Sequence, residues 1–211
     1  MSIRRRSAGE SVAITIDTTR AAVAEAAFDA GADALNDVSA GTEDPGILEL
    51  AASRRVGLVL MHRLRAPGDD QYSDRYVEPP VYEDVVDEVR AFLDRHAARA
   101  EAAGVGSDAI VVDPGLGFGK TVEQNLDLVR GLGRIAGDGR PVLAGASRKS
   151  FLGAISGEAD PRRRGIESIT AGVEAWRRGA GILRVHDVAG HRRALAIAAA
   201  FEDRSPSQGD G

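Results

Sequence analysis

The sequence predicts an α/β fold of parallel strand–helix units, arranged as an incomplete TIM-type (β/α)8 barrel with about six units. Short apolar runs alternate with longer amphipathic segments, as parallel βα units require. Each run is bounded by Gly, Pro or polar residues, which is typical of strands buried on both faces. The six predicted strands are Val12–Asp17, Ala34–Val38, Gly57–His62, Ala109–Asp113, Pro141–Ala144 and Gly181–His186.

The segments between the predicted strands carry helix start and stop signals. Thr18 or Thr19 is suited to cap the first helix, and Gly31 and Gly104 stand where helix-ending glycines belong. The predicted helices are Thr19–Ala30, Pro45–Arg54, Pro80–Ala103, Val122–Arg134, a short helix from Lys149, Arg163–Arg178 and Gly190–Glu202.

Polar residues at the strand ends favour a barrel over an open doubly wound sheet, which six strands could also form. In an open sheet, ligand contacts concentrate near one switch point, whereas barrel strands all deliver side chains to one mouth. The strand-end residues are Asp17, Asn36, Asp37, Met61, His62, Asp113, Gly145, Ser147, Arg184 and His186. We therefore expect residues 12–203 to form one partial barrel domain, preceded by a disordered or non-native start (1–11) and followed by a flexible tail (204–211).

Composition excludes several classes of protein. The net charge of −5 argues against a general nucleic-acid binder, which usually carries a basic face. No apolar run approaches the roughly 20 residues that span a bilayer, and no leader-type apolar stretch follows the basic start. The chain has no cysteine, which rules out disulfides and thiolate chemistry. We expect a cytoplasmic protein that acts on small molecules, without nucleic-acid or membrane partners.

The glycine-rich segment from Asp113 to Thr121 is the strongest local motif. A strand ends in a carboxylate and a turn rich in glycine leads into a helix, so backbone can approach a ligand closely. A nucleotide-binding P-loop would need glycine where Pro114 stands, so that interpretation fails. The chain has only two lysines, Lys120 and Lys149, and both lie at loop-to-helix junctions. For Lys120 a role for its compact ammonium and simple chance are both open.

Three further strand-end groups predict a site for a flat heterocycle. Asp17 and Asp113 can each accept two parallel N–H bonds from an amidine-like ring edge, and Asn36 adds a donor and an acceptor. Asp17 alone is as well explained as a helix cap. Its position at one mouth with Asn36 and Asp113 favours the ligand site.

Cations and hydroxyls at two other strand ends predict an anion site. The turn Gly145–Phe151 carries Arg148, Lys149 and two serines before a helix start, and helix N-termini attract anions. Arg184 and His186 alternate along the last strand and so face the same side. We expect Lys149, Arg184 and His186 to bind a polyanion or polarise a ring carbonyl.

Other polar residues are expected to be structural or solvated. We predict that His62 is a core histidine bonded to backbone, that His96 and His191 lie on helix surfaces, and that Arg162–Arg164 is a solvated helix start. The long polar loop Arg63–Pro79 is either a lid or binding loop, or a disordered crossover.

Six segments, in order, resemble the dihydropteroate synthases of folate biosynthesis, and they span the chain from Val12 to Phe201. They are Ile16–Thr18, Asn36–Ser39, Leu60–His62, Asp113–Thr121, Ser147–Phe151 and Arg184–Val188. The resemblance implies a transferase that joins 6-hydroxymethyl-7,8-dihydropterin diphosphate to para-aminobenzoate, releasing pyrophosphate and forming 7,8-dihydropteroate.

The resemblance also assigns roles to individual residues. It implies that Lys149, Arg184 and His186 are catalytic, and that Arg184 and His186 bind the diphosphate. Phe118 and Ser150 would contact the aminobenzoate. The pterin would contact Asp17, Asn36, Met61, Asp113, Gly145, Lys149 and Arg184.

The chain departs from the family pattern at its start. The family's first two units carry two mobile loops and an asparagine that binds magnesium, and neither unit is recognisable here. The resemblance thus implies Mg²⁺ as cofactor, with no metal ligand in this chain. We expect an incomplete barrel with unpaired strand edges near Val12 and Gly181, little or no turnover by the chain as given, and a homodimer as an open possibility.

Two other functions stay open. One is a non-catalytic pterin-binding subunit, or a partner subunit that completes another chain's barrel. The other is a pterin barrel that moves a methyl group from methyltetrahydrofolate to a corrinoid. The turn Ser147–Lys149 and the pair Arg184 and His186 argue against the second, because its substrate brings no diphosphate.

Overall fold

The computed structural model describes residues 12–66, 68–137 and 139–202. The predicted N-terminal start and C-terminal tail lie outside the described residues. None of the described helices is both long and apolar enough to cross a bilayer. The strands are Thr15–Asp17 (β1), Ala34–Asp37 (β2), Gly57–Met61 (β3), Ile110–Asp113 (β4), Leu143–Ala144 (β5) and Ile182–Leu183 (β6). The α-helices are Ala21–Asp29 (α1), Gly46–Arg54 (α2), Val85–Ala102 (α3), Val122–Arg130 (α4), Leu132–Ile135 (α5), Ser150–Ser156 (α6), Gly165–Arg177 (α7) and Val188–Glu202 (α8).

All six strands are parallel and follow the chain order of a barrel. β1, β2, β3 and β4 form one sheet, and β5 pairs with β6 in a second. A parallel bridge between Val112 and Val142 joins the two sheets. Within the described residues β1 pairs only with β2, and β6 only with β5. The fold is therefore the predicted incomplete barrel, and β1 and β6 each have one neighbouring strand.

The hydrophobic core has two parts connected by α3. One part packs α3, α4, α5, α7 and the strands β4 and β5, and the other packs α1 and α2 against β2 and β3. α3 contributes Val89 and Leu93 to the first part, and Ala97 and Ala100 to the second. Phe92 touches both. α3 therefore packs into both parts of the core.

α3 and α4 begin at side-chain caps, whereas the first helix does not. Thr121 caps α4 in a reciprocal capping box with Gln124. α1 begins after Arg20 with no side-chain cap from its own segment, so the prediction of Thr18 or Thr19 as its cap was wrong. Instead, the Ala21 N–H donates to the Asp44 carboxylate at 2.8 Å. A side chain from the next unit satisfies this helix end.

Two histidines predicted to lie on helix surfaces are buried, so that prediction was wrong. His96 is 8% exposed; its Nδ1 lies 2.8 Å from the Ala40 carbonyl, and its ring packs on Phe92. His191 is 3% exposed and lies within hydrogen-bond distance of the Ser168 carbonyl. Both residues lie on the inner faces of their helices, where a polar ring is tolerated because backbone carbonyls satisfy it.

Arg164 also corrects a prediction, because it is buried and not solvated. Its guanidinium donates to the carbonyls of Glu158, Ala159, Arg148 and Lys149. These bonds fix the turn that leads into α6. The positive charge alone wrongly predicted exposure, because one guanidinium can donate to several backbone carbonyls at once and so be buried.

Candidate functional site

Asp17, Asn36 and Arg184 meet at the carboxyl ends of β1, β2 and β6. The Asn36 amide donates to Asp17 Oδ2 at 3.1 Å, and Arg184 donates to the same oxygen at 3.0 Å. Asp17 stands beside Asn36 in the β1–β2 register. Asp17 does not cap α1, which has no side-chain cap at Arg20. Its carboxylate connects the first strand of the barrel to the last one.

The carbonyl oxygen of the Asn36 side chain is buried and has no hydrogen-bond partner among the described residues. Asn36 itself is only 7% exposed. An unsatisfied buried acceptor costs about 1–3 kcal/mol, so such an atom is unusual unless a ligand completes it. Asn36 Oδ1 is therefore suited to accept a hydrogen bond from an N–H or O–H group of a bound molecule.

Asp113 is a buried carboxylate at the end of β4. It accepts the Gly115 N–H at 2.7 Å, and it stands opposite Met61 of β3 in the strand register. Burial raises its pKa to about 6, against the opposing effects of the Gly115 N–H and the charges of Lys149, Lys120 and Arg184. The site therefore surrounds one desolvated acid with cations, an arrangement that is common at functional sites.

The turn after Asp113 brings backbone into close contact with the neighbouring strand. Gly115 has a φ of +68°, and a Cβ added there would lie 1.9 Å from the His62 carbonyl oxygen. Gly117 has a φ of +78°, and the Lys149 side chain packs where its Cβ would be. A larger residue would clash with backbone at position 115, and at both positions a side chain would be strained by the positive φ.

Lys120 holds this turn from inside the protein. It is fully buried, and its ammonium contacts the carbonyls of His62, Gly115 and Phe118 and the Nδ1 atom of His62. Burial lowers the pKa of Lys120 to about 7. Burial and the Lys120 charge lower the pKa of His62 to about 2, so the imidazole is the neutral acceptor. His62 is a buried histidine as predicted, and its Nδ1 also lies 2.9 Å from the Lys120 ammonium.

Lys149, Phe118 and Ser150 line a cavity of about 770 Å³ outside the turn. The Lys149 ammonium lies 3.7 Å from the centre of the Phe118 ring, a cation–π contact. Burial lowers the pKa of Lys149 to about 8, against the pull of Asp113. The opposite wall is the segment from Asp70 to Val77. The cavity thus combines an aromatic face with a partly desolvated ammonium.

The long loop after β3 is fixed to the glycine-rich turn, which the sequence did not indicate. Asp70 accepts the Gly119 N–H at 2.6 Å and the Tyr76 hydroxyl at 2.6 Å. The Ser73 N–H donates to Ser150 Oγ at 3.1 Å, and Asn125 bonds the Ser73 hydroxyl. Of the two predicted interpretations of this loop, the contacts favour a binding wall over a disordered crossover.

The last two predicted residues lie beside these groups. A Cβ placed on Gly145 would lie 3.9 Å from the Arg184 Cβ. His186 is exposed, and its Nδ1 lies 2.9 Å from the Ser147 hydroxyl. Burial, and then the charges of Arg148, Arg184 and Lys149, lower the pKa of His186.

The geometry connects the predicted residues in overlapping groups. Asp17, Asn36 and Arg184 are joined by hydrogen bonds, and Lys149 contacts Phe118 and lines the same cavity as Ser150. The positive charges of Lys149 and Arg184 act on Asp113 by lowering its pKa.

The described residues do not by themselves fit a magnesium ion. Across residues 12–66, 68–137 and 139–202, no group of three or more His, Cys, Asp or Glu side chains stands close enough to hold a metal. Magnesium prefers several oxygen ligands in near-octahedral geometry. We therefore derive no catalytic step through a metal.

The chain resembles known proteins along most of its length. Dihydropteroate synthase from Mycobacterium leprae is 43% identical over 205 residues, covering 94% of this chain and 70% of that protein. The Synechocystis enzyme is 41% identical over 177 residues, covering 84% and 59%. The chain thus spans 59% to 70% of the length of these two relatives.

Solved structures agree with these matches. A dihydropteroate synthase from Xanthomonas albilineans in complex with 7,8-dihydropteroate superposes with a TM-score of 0.82 at 39% identity, covering 92% of this chain and 68% of that one. The Thermus thermophilus enzyme in complex with 4-aminobenzoate gives 0.81 at 43% identity, covering 90% and 71%. A family model described as pterin binding enzyme matches residues 2–186. This chain belongs to the pterin binding enzyme family.

Proposed function

We propose that this protein acts as a dihydropteroate synthase. The proposed reaction joins 6-hydroxymethyl-7,8-dihydropterin diphosphate to para-aminobenzoate, with release of pyrophosphate. Relatives at about 40% identity carry this name, and solved relatives hold 7,8-dihydropteroate or 4-aminobenzoate. The observation that carries the proposal is the unpartnered Asn36 Oδ1 beside Asp17.

The pterin ring would lie across the mouth formed by β1, β2 and β4. A pterin edge presents N–H donors, and Asn36 Oδ1, Asp17 and Asp113 are acceptors from three separate strands. Ionised carboxylates form stronger hydrogen bonds with such donors than neutral acceptors do. Met61 would line the ring's apolar side, and Lys149 would donate to the ring carbonyl.

The aminobenzoate would occupy the cavity beside the pterin. Phe118 offers an aromatic face, and Ser150 offers a hydroxyl at the start of α6. The cavity volume of about 770 Å³ is within the range of small-molecule sites. Lys149 lies on the Phe118 ring and is coupled to Asp113, so it stands between the two proposed substrates.

The proposed chemistry needs no side-chain nucleophile. The bond between the pterin methylene carbon and the diphosphate oxygen breaks, and the electron pair leaves with the diphosphate. The aminobenzoate nitrogen then bonds to the methylene carbon and loses a proton. Arg184 and His186 would stabilise the leaving diphosphate, while Asp17 and Asp113 stabilise the electron-poor pterin. Preorganised charges of this kind are usually the largest contribution to catalysis.

Several predictions belong to this proposal and depend on it. Magnesium is expected as a cofactor from the family resemblance alone, and the family's asparagine ligand belongs to the units that are not recognisable in this chain. A homodimer and a cytoplasmic location also remain predictions. The methyl-transfer alternative is less favoured, because it leaves Arg184 and His186 without an anionic substrate group.

The test is a coupled assay of pyrophosphate release and dihydropteroate formation with both substrates and magnesium. The proposal expects one pyrophosphate for each dihydropteroate, and release that depends on aminobenzoate. Pterin binding without product would favour the non-catalytic subunit, and adding a chain that supplies two further βα units would test for complementation. Absence of both binding and product would contradict the proposal.

A further inference from the structure

Ser147 and His186 form a paired contact at the ends of β5 and β6. The Ser147 hydroxyl lies 2.9 Å from His186 Nδ1, and it also accepts the His186 backbone N–H at 3.4 Å. Ser147 is 9% exposed, whereas His186 is exposed. The hydroxyl of a buried serine therefore contacts one edge of an exposed imidazole.

The hydrogen-bond pattern determines which ring nitrogen carries the proton. A serine hydroxyl has one proton to donate and two lone pairs to accept with. If Nδ1 donated to Ser147, the buried hydroxyl proton would have no acceptor among the described residues, which is costly. If the hydroxyl donates to Nδ1, every group is satisfied. The neutral ring must then carry its proton on Nε2.

The charged residues around His186 favour a neutral imidazole that donates a hydrogen bond. Arg148, Arg184 and Lys149 already supply positive charge near the ring, and they lower the pKa of His186 further than burial alone does. Nε2 has no hydrogen-bond partner within the described part of the chain. An Nε2–H group adds a directed hydrogen bond to an anion without adding a fourth charge.

We propose that Ser147 is a positioning residue that holds His186 as the Nε2–H tautomer, so that the ring donates a hydrogen bond to the diphosphate. The proposal rests on the proposed function, since it takes the diphosphate as the anion. It assigns Ser147 a role separate from substrate contact. Ser147 acts on the diphosphate only through the imidazole.

The first test is nitrogen NMR of the wild-type protein labelled at its four histidines. Comparison with His186→Gln identifies the His186 signals. We expect Nδ1 to resonate as an unprotonated nitrogen and Nε2 as a protonated one. A protonated Nδ1 in the wild-type protein would contradict the inference whether or not the protein is active.

The second test measures the affinity for inorganic pyrophosphate by calorimetry. Ser147→Ala is expected to weaken binding about five- to tenfold and to mix the two His186 tautomers, because one directed hydrogen bond is lost. Ser147→Thr keeps the hydroxyl and should restore both readouts. Wild-type affinity in Ser147→Ala, or no pyrophosphate binding by the wild-type protein, would overturn the inference. Correct tautomer and pyrophosphate binding without product would instead contradict only the proposed function.

Discussion

The buried charge of Asp113 destabilises the folded protein, and the same charge is proposed to bind the ligand. Its pKa is raised to about 6 by burial, so the folded protein holds this proton more tightly than the unfolded chain does. The stability that protonation contributes is fully present below about pH 4 and is lost as pH rises through about 6. At neutral pH the buried charge costs about 3 kcal/mol relative to a neutral side chain.

Asp113→Asn should therefore stabilise the ligand-free protein. An asparagine keeps an acceptor for the Gly115 N–H and removes the buried charge, so we expect a gain of about 1–3 kcal/mol at pH 7 that vanishes near pH 4. Urea unfolding of both proteins across this pH range measures the difference. A loss of stability at pH 7, or a difference independent of pH, would contradict this account.

The strand-end residues were predictable from sequence, but several buried polar residues were not. Asp17, Asn36 and Asp113 follow short apolar runs, and parallel strands bring such positions together. His96, His191 and Arg164 each contact a backbone carbonyl at least 16 residues away, those of Ala40, Ser168 and Arg148. The Lys120 ammonium likewise contacts the His62 carbonyl, 58 residues away. No local pattern encodes those partners, so residue type alone predicted exposure or left the role open.

The glycine-rich turn is an element whose shape depends on backbone alone. Gly115→Ala would place a carbon 1.9 Å from the His62 carbonyl at a φ of +68°, so the turn or β3 must move. We expect a loss of more than about 3 kcal/mol in unfolding free energy.

Gly157→Ala is the matched control for this substitution. Its φ is +80°, but a Cβ there meets nothing within 4 Å, so only backbone strain of roughly 1 kcal/mol is expected. The two variants are compared by urea unfolding. Equal losses of unfolding free energy in the two variants would mean that the close approach of residue 115 to the His62 carbonyl does not constrain the turn.

Element boundaries were less predictable than element order. All six predicted strands form, yet β5 and β6 have two residues each, where four and six were predicted. Among the strands that the structure describes, β6 pairs only with β5, so hydrogen bonding along one side supports a shorter ladder. Helix starts shifted for a similar reason, since Asp44 from the next unit, and not a local threonine, receives the Ala21 N–H.

At the scale of the whole molecule, stability depends on α3 joining two core regions. Leu93 is 1% exposed and belongs to the larger region, next to the α3 residues of the other. We expect Leu93→Ala to cost about 2–4 kcal/mol by lost burial and an unfilled cavity. Thermal and urea unfolding should show a single transition, because the helix couples both halves.

Ile166→Ala on α7 provides the control for Leu93→Ala. Ile166 is 82% exposed, so its truncation should change the unfolding free energy by less than about 0.5 kcal/mol. Two separate transitions in Leu93→Ala, one for each core region, would show that the two regions unfold independently. That result would contradict the connecting role of α3.

The most direct test of the central claim is calorimetric titration with 6-hydroxymethyl-7,8-dihydropterin diphosphate at pH 7.5. Three strands are proposed to converge on one ring edge, so Asp113→Asn should weaken binding at least about tenfold, because a charged hydrogen-bond acceptor is lost. Asp108→Asn makes the same substitution just before the opposite end of β4, at an exposed position, and should bind as the wild-type protein does. Equal affinity in Asp113→Asn and Asp108→Asn would contradict the pterin site.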